Sequence, residues 1–180
     1  MTEGFITKRE GAFLHVTIDR ADDGNRVTDP MLDGLAALVD DASSDPDLKG
    51  IVLRGAGADF CHGRLQGTPP PEGKPNNAFE IHERVMSRIL GVYTAFRRCP
   101  APIIAVIQGK ALGFGCALVG GADIAIAGRS ATFALTEMPH GTAPTLALSA
   151  LSHVAPKTLM DMVLTVEEHD AEHALSLIHI

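Results

Sequence analysis

Tryptophan is absent, tyrosine occurs once, and aromatic side chains make up only 4% of the 180 residues. So few rings cannot build the stacking platforms that hold single-stranded nucleic acids. Positive charge is also short. Fifteen Lys and Arg against 22 Asp and Glu leave a formal charge of −7, the reverse of the basic face that nucleic-acid binding needs. Cysteine is scarce and odd in number: Cys61, Cys99 and Cys116 lack metal-site spacing. The expectation is reduced thiols in a cytoplasmic protein. No apolar run approaches the roughly 18 residues of a membrane span. The opening Met1-Thr2-Glu3-Gly4 has neither the basic nor the apolar region of a secretory leader. The expected partners therefore include neither nucleic acid nor membrane.

What is present is 46% apolar and 21% charged residues, the balance of a soluble globular chain that needs no disulfide or metal to fold. Residues 12–19 alternate apolar and polar side chains, as a half-buried strand does, and Arg20–Arg26 with Gly24-Asn25 reads as a turn. Thr28-Asp29-Pro30 opens a helix along which Met31, Leu35, Leu38 and Val39 recur. Residues 50–54, 103–107, 123–127 and 131–135 read as short strands with little polar surface. The stretch 66–77 holds four prolines and two glycines, which predicts a mobile surface loop. Phe79–Arg98 carries Ile81, Val85, Ile89, Val92 and Phe96 at steps of three or four, a long amphipathic helix. Thr145–His153 and Lys157–Val163 read as two shorter helices. Strands buried between helices predict an α/β fold, and no linker or repeat divides residues 1–180 into more than one domain.

Two glycine-rich segments follow strands directly: Gly55–Gly63, and Gly109 through Ala117. Such glycines either make tight packing turns or free backbone N–H groups for a ligand. A helix starting near Phe114 or Gly115 adds the partial positive charge of its N-terminus. Neither segment is a nucleotide loop, since the third glycine of the dinucleotide pattern and a Gly-Lys-Ser/Thr ending are both missing.

Taken together, these segments resemble the crotonase (enoyl-CoA hydratase/isomerase) superfamily. Ile18-Asp19-Arg20 through Asn25 is similar to the family's strand-Arg-Pro-x-x-x-Asn opening, with Ala21 in place of the proline. Ile51 through Gly57 and Phe60-Cys61-His62-Gly63 resemble Leu-x-Gly-x-Gly-x-x-Phe-x-x-Gly. Pro102 through Gly109 resembles Pro-x-Ile-Ala-x-Val-x-Gly. Ala111 through Cys116, Asp123-Ile124 and Phe133 through Glu137 follow in register, so the resemblance covers about residues 12–175.

The resemblance implies a ββα superhelix, the ClpP/crotonase spiral, that binds an acyl-CoA thioester. Coenzyme A enters as part of the substrate, with no further cofactor and no metal. It implies a homotrimer or dimer of trimers. Matched by position, the backbone N–H groups of Arg64 and Phe114 form the oxyanion hole and Glu137 is the acid/base. A single oxyanion donor can be worth about 3–4 kcal/mol. His62, Gly63, Gly113, Gly115 and Thr145 fall in the substrate-binding set. The family's other glutamate falls on Ala117, which cannot transfer a proton, and this favours isomerase over hydratase. Rival readings on the same oxyanion hole are a thioester hydrolase, decarboxylase or lyase, or a non-catalytic acyl-CoA-binding subunit. Arg97, Arg98 and Lys110 either hold CoA phosphates or are ordinary surface charge. Cys61 and Cys116 read as small buried residues. Glu167-Glu168-His169 and Glu172-His173 read as a solvated helix face. Family members continue past Asp170–Leu175, so the expectation is a core domain lacking the usual C-terminal helical part.

Overall fold

The computed structural model describes residues 2–65 and 77–178. The proposed mobile loop at 66–77 lies outside the described residues except for Asn77. A hairpin starts the chain: β1 (Phe5–Glu10) pairs antiparallel with β2 (Phe13–Ile18) around Gly11-Ala12. Helix α1 (Asp29–Ser43) follows with Pro30 in its first turn and buries Met31, Leu32, Leu35 and Val39, one stripe at helical spacing. Strand β3 (Gly50–Gly55) then runs parallel to β2.

Asn77 caps the next helical run, its side chain accepting from Glu80 N at 2.9 Å. That run comprises α2 (Ala78–Ile81), a wide π turn at His82–Met86, and α3 (Ser87–Arg98). Its buried face holds Ile89, Val92, Tyr93 and Phe96 and packs on α1. Strand β4 (Ile103–Ile107) turns at Gly109 into β5 (Lys110–Leu112), which leads into α4 (Phe114–Gly121). Strands β6 (Ile124–Ala127) and β7 (Thr132–Ala134) repeat the long-then-short arrangement. Helices α5 (Thr145–Ala150) and α6 (Pro156–Thr165), strand β8 (His169–Asp170) and helix α7 (Ala171–Ile178) complete the described chain.

The topology is a spiral. The large sheet has the order β1-β2-β3-β4-β6 and the small one β5-β7-β8. After each long strand, the chain drops into the small layer. Val27 bridges Arg64, Cys61 bridges Ala111, and Ala111 pairs with Phe133. Successive turns therefore stack short segments 27, 61–64, 110–112 and 132–134 side by side. Phe60 and Phe133 fill the space between the layers and are wholly buried, each contributing about 2–3 kcal/mol through burial.

The corners between layers are laced by side chains one turn away. Asn25 Nδ2 donates to Ala56 O and Asp59 O, both at 2.8 Å, and Asn25 Oδ1 accepts from Arg20 N at 3.0 Å. Gln108 Nε2 donates to Gly55 O at 2.9 Å, and Asp59 Oδ1 accepts from Lys110 N at 2.9 Å. These bonds satisfy corner groups that no sheet ladder reaches.

The structure departs from the sequence pattern in four places. Strand β1 carries one buried residue in six, too few to produce a period, and exists because it pairs with β2. Strand β6 is not covered on both sides: Ile124 and Ile126 are 49% and 55% exposed, because β6 is the sheet's edge and no described helix lies over that face. Helix α5 ends at Ala150 rather than at His153. Glu167, Glu168, Glu172 and His173 are exposed as expected, the last two on α7, but His169 is not part of a solvated face. His169 is buried in β8 opposite Phe133 and stacks on His173 with ring centroids 4.6 Å apart.

Candidate functional site

The spiral brings two strand-to-loop junctions against each other at the start of α4. Gly63 has φ of 99°, and a Cβ there would stand 3.1 Å from Leu112 O and 3.7 Å from Phe114 N. Only glycine takes that conformation without strain and lets the two backbones approach so closely. Gly115 has the same importance from the other side, since a Cβ on it would overlap Cys61 O. The sequence alone left packing and ligand-binding open for Gly115; its place is packing, which sets α4 against the Cys61–Arg64 segment.

Two amides are left over by this arrangement. Arg64 sits between Val27 N, which donates to Gly63 O, and Leu65 N, which donates to Val27 O. Its own N–H faces away from that ladder and meets no backbone acceptor among the described residues. Phe114 is the first residue of α4, so its N–H has no intrahelical partner and carries the helix's positive end. The Arg64 backbone is held from outside by its side chain. Arg64 Nε and Nη2 both reach Asp29 Oδ1, at 3.1 and 2.7 Å, with the two side chains 16% and 15% exposed. Arg88 adds a second cation 3.4 Å from Asp29.

Glu137 follows β7 and Gly113 faces it. A Cβ on Gly113 would stand 3.2 Å from Glu137 Oε1 and 3.2 Å from Thr136 Oγ1. The carboxyl therefore lies over the Gly113 Cα, next to the Phe114 amide. Glu137 Oε2 is buried with no hydrogen-bond partner. Burial raises the Glu137 pKa above the ordinary carboxylate value, opposed by its own backbone hydrogen bond, His140 and Thr136. Burial pushes the thiols of Cys61 and Cys116 up to about 12. Both cysteines are therefore neutral packing groups at physiological pH. Ala117 is fully buried in α4.

The remaining sequence candidates separate. The backbone N–H of His62 donates to Gly24 O at 2.8 Å, and its ring Nε2 lies 2.9 Å from Asp59 Oδ2. Thr145 is exposed at the first turn of α5. Lys110 is engaged by Glu168 at 2.7 Å, and Arg97 Nη2 donates to Ser149 O at 3.2 Å. Tyr93 was not singled out by the sequence. Its ring stacks on Phe114 with centroids 6.1 Å apart and planes at 22°. A lone tyrosine on the apolar face of an amphipathic helix was the available signal, because its hydroxyl needs a polar neighbour. Asp29 left no signal, since its partner is 35 residues away.

Two sheets wound as a spiral, with unpaired amides and one raised carboxyl where the turns meet, define a protein of the crotonase fold. A family model described as enoyl-CoA hydratase/isomerase matches residues 8–177. The chain is 31% identical over 132 residues to enoyl-CoA hydratase EchA19 of Mycobacterium tuberculosis, covering 73% of this chain and 49% of that protein. It is 26% identical over 172 residues to the mitochondrial enoyl-CoA hydratase domain-containing protein 3 of Danio rerio, covering 94% of this chain and 58% of that one. Among solved structures, an enoyl-CoA hydratase of Mycobacterium smegmatis superposes with a TM-score of 0.87 at 28% identity, over 98% of this chain and 68% of that chain. The chain belongs to the enoyl-CoA hydratase/isomerase family. It spans about half the length of the curated relatives it matches. No helix among the described residues is long and apolar enough to cross a membrane.

Proposed function

We propose that this chain is the acyl-CoA-processing core of an enzyme that works through a thioester enolate. The supporting observation is the meeting of two unpaired amides, Arg64 and Phe114, with the raised carboxyl of Glu137 across Gly63 and Gly113. The thioester carbonyl accepts from both amides. As a proton leaves the α-carbon, charge builds on that oxygen, and preorganised donors favour the charged state over the neutral one. Glu137 takes the proton and returns it. The upward shift strengthens Glu137 as a base for the α-proton, and the protonated carboxyl is the acid that returns it.

Isomerisation asks nothing more of the site, since one carboxyl removes a proton at one carbon and delivers it at another. Gly113, whose Cβ position faces the Glu137 carboxyl, leaves room there for the thioester. Coenzyme A enters as part of the substrate, no other cofactor or metal takes part, and a homotrimer or dimer of trimers in the cytoplasm belongs to the same proposal. The test is mass spectrometry of enoyl- and acyl-CoA esters incubated with the protein in D₂O, alongside Glu137→Gln. Deuterium at the acyl carbons, lost in the variant, is the expected result. Esters that bind without exchange would overturn the catalytic reading in favour of a binding subunit.

A further inference from the structure

Thr136 stands next to Glu137 and has no role in the mechanism above. Consecutive residues of a strand point to opposite faces, yet both of these side chains reach Gly113. The strand has ended by then: Glu137 has φ −80° and ψ −35°, a helical conformation that leads into the 3-10 turn at Met138–His140. As a result, Thr136 Oγ1 and Glu137 Oε1 each stand 3.2 Å from the position a Cβ on Gly113 would take. Gly113 is joined directly to Phe114, whose amide is one of the two oxyanion donors. Thr136 is half-buried, and its hydroxyl makes no hydrogen bond among the described residues. That oxygen is open to solvent rather than sealed in the core, unlike Glu137 Oε2. A group resting on the Gly113 Cα therefore meets a hydroxyl, a carboxyl and an amide that come from two turns of the spiral.

We propose that Thr136 and Glu137 together hold a water molecule against Gly113, and that the site hydrolyses the thioesters it binds. This rests on the oxyanion reading above and adds a second reaction to it. The two oxygens are not bonded to each other, and one water with two bonds of about 2.8 Å spans such a gap. A hydroxyl suits the task because it donates, whereas the ionised carboxylate only accepts. The water donates to Glu137 and accepts from Thr136, which leaves its second lone pair free to attack. Its oxygen bonds to the thioester carbonyl carbon as Glu137 takes its proton. The carbonyl π pair moves to the oxygen held by the Arg64 and Phe114 amides. On collapse the C=O bond re-forms, the C–S bond breaks, and Glu137 returns the proton to the departing sulfur. The products are the CoA thiol and the carboxylic acid, with water as the one co-reactant. The substrate class is an acyl thioester whether or not its chain carries a double bond, since the attack falls on the carbonyl.

Butanoyl-CoA separates this reaction from the enolate chemistry, because it has α-protons to exchange and no double bond to move. Release of CoA and butanoate, read by mass spectrometry, is the expected activity of the parent chain. In a single turnover with excess protein in H₂¹⁸O, the label should enter butanoate and not Glu137. Thr136→Val keeps the shape of the side chain and removes the hydroxyl. It should slow CoA release about tenfold more than it slows α-deuterium exchange, the loss of one hydrogen bond to the water. Thr136→Ser should restore release. Equal losses in both reactions, ¹⁸O in Glu137, or a chain that exchanges deuterium without releasing CoA would overturn the hydrolytic role and leave the enolate reading intact. A chain that neither exchanges nor cleaves the ester would overturn both.

Discussion

Asn25 is the most informative single position for the architecture, because its side chain ties three backbone groups from two turns of the spiral. It is wholly buried, has a positive φ of 55°, and makes bonds of 2.8 Å to Ala56 O, 2.8 Å to Asp59 O and 3.0 Å from Arg20 N. Asn25→Ala leaves all three groups without a partner. At about 1 kcal/mol for each, the loss is about 3 kcal/mol. A left-handed backbone is harder for alanine than for asparagine, which adds about 1 kcal/mol. The total, about 4 kcal/mol, is a large part of the stability of an ordinary domain and corresponds to a fall in Tm of roughly 10 °C for a chain of this size. Urea unfolding followed by circular dichroism measures it. Asn25→Gly separates the two causes, since it relieves the backbone but not the lost bonds, and should still cost about 3 kcal/mol. A loss below about 1 kcal/mol in Asn25→Ala would refute the claim that this side chain holds the corner.

Four further outcomes follow. Glu137→Gln should reduce α-deuterium exchange by about 10²–10⁴-fold. In the parent chain exchange should rise with pH along a limb displaced above the ordinary carboxylate range, because the base form appears only above the raised pKa; a limb at the ordinary value would contradict the burial argument. The same shift makes a stability prediction. A carboxyl whose folded pKa is raised binds its proton more tightly when folded, so its stabilising contribution is present below the unfolded pKa and is lost as pH rises through the folded one. Glu137→Gln should therefore be more stable than the parent at neutral pH, and denaturant midpoints should converge in acid. Asp29→Asn loosens the grip on the Arg64 side chain and should raise KM or lower kcat for the CoA ester several-fold with little change in circular dichroism. In the native chain, a thiol reagent should modify the half-buried Cys99 readily and Cys61 and Cys116 only after denaturation, as both are fully buried. Rapid reaction of three thiols without denaturant would show that the α4 packing is wrong.

Periodicity in the sequence was enough to find β2, β3, β4, β6 and β7, the helices α1 and α3, and the start of α4 near Phe114, because each has its own apolar stripe or run of β-branched residues. Strand β1 was invisible, since a polar edge strand takes its conformation from its neighbour. In the acidic run near the end only His169 was misread, because it is buried in β8 opposite Phe133 of β7, a pairing across 36 residues of chain. Within the site, the order of motifs singled out Arg64, Phe114 and Glu137. It also grouped His62 with them, and only the structure shows that this ring lies 2.9 Å from Asp59.

The sequence by itself determined the alternation of apolar strands with helices and the glycines at strand ends, because these depend on local backbone preference and on burying one face at a time. Its motif order also determined membership of the family. Only the tertiary structure decided which polar groups end without partners. The unpaired amides of Arg64 and Phe114 and the orphaned Glu137 Oε2 come from different turns of the spiral. Hydrogen-bond satisfaction and desolvation are set by what surrounds a group in space, and no local stretch of chain carries that information.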